Sequence, residues 1–286
     1  MAHMLIRQLE RFVNLSPEEK LALRTAGMPP RRFPARHDLT REDEPAGTIN
    51  MLLAGFACRY VVLPNGRRQI LSYLLPGDFC DLRACILERM DHSIGTLTAV
   101  KLASFSRTSV GDLAYRFPQV ARALALLTAT EEATARQWLL NLGRRTASER
   151  VAHLLCELFT RLQWVGLATE TTCELPLTQT DLADALALSP VHVNRTLMEM
   201  RRRKLATFAR HQLVINDFQA LQQAAGFKSR YLQPERQPSI FCEMRTAIEV
   251  QALATAAREL PVGEPRNEPA RIRLEGELGN SPPSGA

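Results

Sequence analysis

The chain predicts an α+β protein in three parts: an N-terminal antiparallel β-roll of jelly-roll type, a long dimerisation helix and a C-terminal winged helix-turn-helix. Three observations carry this. Residues 31–109 hold short β-rich runs separated by turn residues. Residues 113–142 hold a helical period with two usable stripes. Residues 177–204 read as two short helices around a tight corner, followed by a basic cluster.

Each element follows from its residues. Residues 5–27 are amphipathic, and Ser16-Pro17-Glu18-Glu19 opens a helical turn. Ile49 to Leu53 runs into Gly55 as a strand. Phe56 to Leu63 and Gln69 to Leu75 flank Pro64-Asn65-Gly66, a hairpin signal. Pro76-Gly77-Asp78-Phe79 turns again, and Thr96 to Ser106 alternates once more. Along the long helix, Leu113, Phe117, Val120, Leu124 and Leu127 form one stripe that can face the chain's own barrel. Ala121, Ala125, Thr128, Glu132, Ala135, Leu139 and Leu142 form a second, rich in small residues, which suits a parallel copy in a homodimer. Arg144-Arg145-Thr146 is the hinge, and Ser148 to Trp164 continues as helix. The domain boundaries follow: a sensory β-roll over 5–112, dimerisation helix and hinge over 113–145, winged helix-turn-helix over 146–227, and an extension over 228–286. Within that extension Ala247 to Leu260 has helical character, and Pro261 to Ala286 has the Pro, Gly and Glu content of a disordered end.

Capping residues define the helix-turn-helix. Thr178 is a good N-cap and Asp181 a favourable first-turn acid. Leu182, Ala183 and Leu186 give the first helix its buried face, with Ala183 small enough for close approach. Ser189 caps the second helix, and Pro190 fits its first position. Val193, Leu197 and Met200 form the buried stripe. Val191, His192, Asn194 and Arg195 are left for base edges: Arg195 for a guanine, Asn194 for an adenine, Val191 for a thymine methyl. Between Arg195 and Arg210 there are six basic residues and one acid, Glu199. Arg201, Arg202, Arg203, Lys204 and Arg210 are the phosphate candidates, the last on the turn between two strands that read as a wing.

Composition sets the limits. The 286 residues carry 36 Lys and Arg against 30 Asp and Glu, a formal charge of +6, which permits a polyanionic partner. Eight basic and eight acidic residues lie from Lys228 onward, so the whole excess sits in residues 1–227. The six cysteines include no CxxC pair, and reduced cytoplasmic thiols are expected. No run is long and apolar enough for a membrane span, and no membrane partner is expected. No P-loop, nucleophile elbow or motif-placed carboxylate pair is present, so no catalytic residue is assigned.

In its order of parts the chain resembles the family of the cyclic-AMP receptor protein and the fumarate–nitrate reductase regulator, the Crp/Fnr family. The resemblance covers residues 5–227. It rests on Leu53-Ala-Gly55, Asn65-Gly66, Ile70 to Phe79 and Leu177 to Arg203. It implies a bacterial homodimeric transcription factor on a palindromic site in double-stranded DNA. It implies RNA polymerase as a further partner if the protein activates. It also implies a signal in the roll that reorients paired recognition helices. The family's phosphate-contact positions fall at Ser189, His192 and near Thr178.

Two departures are specific. The family's recognition helix commonly carries Glu just after the corner serine; Pro190 and Val191 stand there, and only Arg195 matches. The family's cyclic-nucleotide cassette has a Gly-Glu pair and, downstream, an Arg-Ser pair. Here Cys80 to Ile94 lacks the first, and Ser93 follows His92 rather than arginine. Cyclic AMP binding is therefore not expected, nor an iron–sulfur cluster, since the first cysteine is Cys58. The effector candidates left are Cys80, Arg83, Cys85 and His92, with thiolate and imidazole able to serve haem iron or a redox-active thiol. The bland reading is that the cysteines are buried small residues, and no metal site is assigned. Two other functions fit the parts: a cupin-like metal enzyme on the jelly roll, or a dimeric sensor or scaffold that does not read DNA. The first needs closely spaced histidines, and the six here are scattered.

Overall fold

The computed structural model describes residues 2–232. Expectations for 233–286, including the helix over Ala247 to Leu260 and the disordered end, lie outside them. The amphipathic start forms two helices, α1 (Ala2–Glu10) and α2 (Pro17–Thr25). Ser16 and Glu19 close a capping box at the start of α2, which separates it from α1.

The roll follows. Its strands are β1 (Arg31–Phe33), β2 (Asp38–Thr40), β3 (Ile49–Ala54), β4 (Ala57–Val62), β5 (Arg68–Leu74), β6 (Ser93–Thr96) and β7 (Val100–Phe105). They form two antiparallel sheets, ordered β1-β7-β3 and β2-β6-β4-β5. The expected β4–β5 hairpin turns at Asn65-Gly66, where Gly66 has φ 80°. Gly55, between β3 and β4, has φ 84°, and a Cβ there would meet the Ala99 carbonyl oxygen at 2.3 Å. Any side chain at position 55 would push β7's approach apart. Of the expected strand over Thr96 to Ser106, Val100–Phe105 forms β7, while Thr96 ends the preceding strand β6, which the sequence did not mark.

Helix α3 (Arg107–Arg116) leads to α4 (Pro118–Arg144) and α5 (Ala147–Trp164). The inward stripe of α4 is buried against the roll at Phe117, Val120 and Leu127. The hinge is Arg145, in extended conformation, followed by a Thr146–Glu149 capping box that restarts the helix as α5. The C-terminal head then consists of β8 (Thr172–Glu174), α6 (Gln179–Leu186), α7 (Pro190–Arg202), β9 (Ala206–Ala209), β10 (Gln212–Ile215) and α8 (Phe218–Ala225). Its core is built on α5, with Leu155, Leu158 and Phe159 fully buried. Truncating Phe159 to Ala would cost about 3–5 kcal/mol. Phe56, Ile70 and Tyr73 of the roll lie in the same apolar cluster, so head and roll share packing.

Ordered packing runs past residue 227, where the sequence reading ended the head. A 3₁₀ turn over Ser229–Leu232 follows, and Leu232 is buried. Tyr231 stacks on His153, edges onto Phe227 and donates to buried Glu157 at 2.8 Å. Aromatic packing rather than periodicity extends the fold here.

Candidate nucleic-acid interface

Helix α6 starts with a capping box. The Thr178 Oγ1 accepts from the Asp181 amide at 3.1 Å, while Asp181 accepts from the Thr178 amide and hydroxyl at 3.0 and 2.7 Å. The helix ends at Ala187 in left-handed conformation, φ 52°. Ser189 accepts from the His192 amide at 3.2 Å and Pro190 takes the first turn, so α7 begins where its caps require. Val193, Leu197 and Met200 are buried against α5 and α6, which leaves the opposite face of α7 to solvent.

That face carries the expected base-reading group. Val191 is 79% exposed, an apolar side chain with no internal partner. Asn194 and Arg195 are exposed and His192 half-buried. Arg195 makes no ion pair or side-chain hydrogen bond among the described residues, so its guanidinium is free for a base edge. Arg201, Arg203 and Lys204 are exposed at the end of α7, and Arg202 is exposed but paired with Glu199. The wing turn is Arg210-His211, both at positive φ, 52° and 62°. It holds β9 and β10 in register, Ala209 opposite Gln212, and places Arg210 at the tip. Ser189 is exposed, with its hydroxyl proton still available. Thr178 is the exception: both its donors are spent on Asp181, so the expected phosphate contact there does not fit this arrangement.

The second stripe of α4 faces outward. Ala125, Thr128, Glu132, Ala135 and Leu139 are exposed, Leu139 by 73%, and Ala121 and Leu142 are half-buried. The stripe is mixed: alanines and leucines with Thr128 and with Glu132, which pairs with Arg136.

The effector candidates are not brought together as a ligand set. Cys80 is buried, and burial pushes its thiol up to about 12. Burial also raises the half-buried Cys85 thiol. Neither is a ready thiolate. His92 is buried beside Asp91, 2.7 Å away, and its Nε2 lies 3.6 Å from Asp81. Burial lowers its pKa despite the Asp91 hydrogen bond. Among the described residues Asp81, Asp91 and His92 form the one donor group compact enough for a metal ion. Arg83 already donates to both carboxylates, at 3.1–3.3 Å, and keeps its charge against burial because of them. The place of a cation is thus taken by a guanidinium.

A cleft of about 590 Å³ lies between the roll and α4, with Arg59, Ser72, His92 and Glu131 in its wall. Arg59 bonds to Glu131 at 2.9 Å and to the Cys80 and Phe79 carbonyl oxygens. Four guanidiniums line this cleft: Arg59, Arg83 and Arg161 are paired with carboxylates, and Arg11 donates to Gln8 and the Leu232 carbonyl oxygen. Sequence reasoning did not find Arg59, whose partner Glu131 lies 72 residues away, nor Asp81 and Asp91, although their partners Arg83 and His92 are near in sequence. It also missed Arg36 and Arg68, which reach Asp181 on α6 at 2.8 and 2.9 Å.

Comparison with known proteins agrees with this anatomy. Residues 149–224 match the Crp-like helix-turn-helix domain, and residues 30–116 the cyclic nucleotide-binding domain. The transcriptional activatory protein AadR of Rhodopseudomonas palustris is 33% identical over 174 residues, 61% of this chain and 72% of that protein. The nitrogen fixation regulation protein FixK of Bradyrhizobium diazoefficiens is 32% identical over 170 residues, 59% and 70% of the two chains. The solved structure of FixK2 from Bradyrhizobium japonicum superposes with a TM-score of 0.64 at 29% identity, covering 71% of this chain and 98% of that one. The chain belongs to the Crp/Fnr family of DNA-binding transcriptional regulators.

Proposed function

We propose that two copies of this chain pair along α4 and read a two-fold palindromic operator, one α7 in each of two successive major grooves. The exposed, unpartnered face of α7 carries this reading. Val191, His192, Asn194 and Arg195 contact bases, and Ser189, Arg201, Arg202, Arg203, Lys204 and Arg210 contact phosphates. The dimer seam is Ala121, Ala125, Thr128, Glu132, Ala135, Leu139 and Leu142. Its exposure along one face of α4 supports this, because a helix apolar on two sides needs two partners. Half-sites about 34 Å apart, one helical turn, suit such a pair.

The name of AadR as a transcriptional activatory protein supports activation, and with it contact with RNA polymerase, in the cytoplasm. No helix among the described residues is long and apolar enough to cross a membrane. The roll is a sensory module whose cleft is not organised for a cyclic phosphate: Arg59 and Arg83 are held by Glu131, Asp81 and Asp91, Arg161 by Asp78, and His92 stands where the cassette carries arginine. Cyclic AMP is accordingly not the effector. A cupin-like enzyme finds no support, since among the described residues the one compact histidine–carboxylate group is occupied by Arg83.

Selection of sites from a random duplex library with purified protein tests the proposal. A two-fold symmetric consensus is expected. Enrichment of an asymmetric or single half-site would refute the dimeric reading, and no enrichment with or without cell extract would refute DNA reading altogether.

A further inference from the structure

The reading head is tied to the roll by a set of ion pairs and hydrogen bonds. Arg36, in the turn before β2, donates twice to Asp181, at 2.8 and 3.0 Å. Arg68, the first residue of β5, donates to Asp181 at 2.9 Å and to Asp184 at 2.8 Å. The buried Tyr73 hydroxyl donates to the Asp181 carbonyl oxygen at 2.8 Å. Asp181 itself is buried to 1% exposure and Arg68 is mostly covered, while Arg36 is about half exposed, so the Arg68 pairs are the enclosed part of the tie. All of these contacts land on α6. Helix α7 packs across α6 through Leu182, Ala183, Leu186, Val193 and Leu197, so fixing α6 fixes the direction in which α7 points. The open face of α7 bears none of these contacts; the tie presents that face and does not cover it.

We infer that Arg36, Arg68 and Asp184 are positioning residues for operator recognition: they hold each head at a set angle to the roll so that two heads meet two half-sites together. This rests on the palindromic-operator reading above. The physical reason is entropic. A head swinging on the Arg145 hinge must be ordered when the second half-site is engaged, whereas a tied head is ordered beforehand. Binding through one head alone gains nothing from the tie. Asp181 is left out of the variants because it also closes the cap of α6.

The test compares a duplex carrying the selected palindrome with one carrying a single half-site. Proteins are the full chain, Arg68→Ala, Asp184→Asn, their combination, and Arg36→Ala with Arg68→Ala. The last variant is expected to bind the palindrome about tenfold or more weakly while its half-site affinity stays unchanged. Arg68→Ala and Asp184→Asn together should cost no more than the worse single change, as expected for one shared contact. Equal losses on both duplexes would overturn the inference, because that is the signature of a damaged head. Unchanged palindrome affinity would overturn it too, and tighter binding would show a restraining lock instead. A wild-type chain that selects a site without two-fold symmetry would sink the operator reading, and the inference with it.

Discussion

Replacing Arg195 with Ala is the most direct probe of the interface. The residue is exposed on α7 and has no internal ion pair or side-chain hydrogen bond, so its removal leaves no buried group unsatisfied. Stability should change by no more than about 0.5 kcal/mol. A bidentate arginine–guanine contact is worth about 1–3 kcal/mol of discrimination. A two-fold operator contains the contact twice, so the dimer stands to lose about 2–6 kcal/mol, roughly 30-fold to 20,000-fold in Kd. The loss must be confined to the cognate base. Titrations against the selected duplex and against duplexes altered at each half-site position measure it. The variant should bind all four bases at one position equally and keep the wild-type order at the others. If it selects the same site with the same preferences, α7 does not read DNA through Arg195, and the assignment of its open face is wrong.

Three further outcomes follow. Neutralising Arg201, Arg202 and Arg203 to Gln should weaken binding to all sequences alike and flatten the salt dependence. Each lost phosphate contact lowers the slope by about 0.9, so about 1.8 per residue in a dimer, and Arg202 should give less because Glu199 already holds it. Tyr231→Phe removes the 2.8 Å bond to buried Glu157 and should cost about 1–3 kcal/mol, lowering the thermal midpoint by several degrees; an unchanged midpoint would deny that bond a stabilising part. Burial would by itself raise the Asp181 pKa, but hydrogen bonds from Arg36 and Thr178 hold it well below the usual carboxylate value. A depressed folded pKa gives stability that is fully present above the unfolded value and lost as pH falls through the folded one. The stability advantage of wild type over Arg36→Ala with Arg68→Ala should therefore be flat from neutral pH down to about pH 5 and shrink below about pH 4.

Much of the interface was legible because its signals are local. Thr178, Ser189 and Pro190 mark helix starts by their own chemistry, and the spacing of Val193, Leu197 and Met200 fixes which face of α7 is buried. The outward stripe of α4 was likewise written in its period. Strand β6 escaped because all its residues are buried, so no alternation marks it. Thr178 was misread as a phosphate contact because the sequence shows a hydroxyl at a helix start but not that Asp181 consumes it. The tie between head and roll was invisible for a different reason. Arg36 lies 145 residues from Asp181 and Arg68 lies 116 from Asp184, and nothing local to a surface arginine names a partner at that distance. Lys228 to Leu232 looked like the start of a tail because five residues show no period; their order comes from His153 and Glu157 on α5.

The last of these contacts bears on how the molecule is made. Arg11 donates to the Leu232 carbonyl oxygen at 3.2 Å and lies over the Trp164 ring, 4.3 Å from its centre. During synthesis the roll's strands are all available once Phe105 has emerged, and a β-roll closes slowly because its pairings are non-local. Arg11 must then wait, first for residue 164 and then for residue 232. The cleft beside α4, lined by Arg11, Trp164 and Leu232 together, is thus among the last features to be finished on a nascent chain. A chain arrested before Phe227 would carry the roll's strands but an unsealed cleft. Proteolytic susceptibility near residue 11 would report, codon by codon, the moment at which the cleft closes.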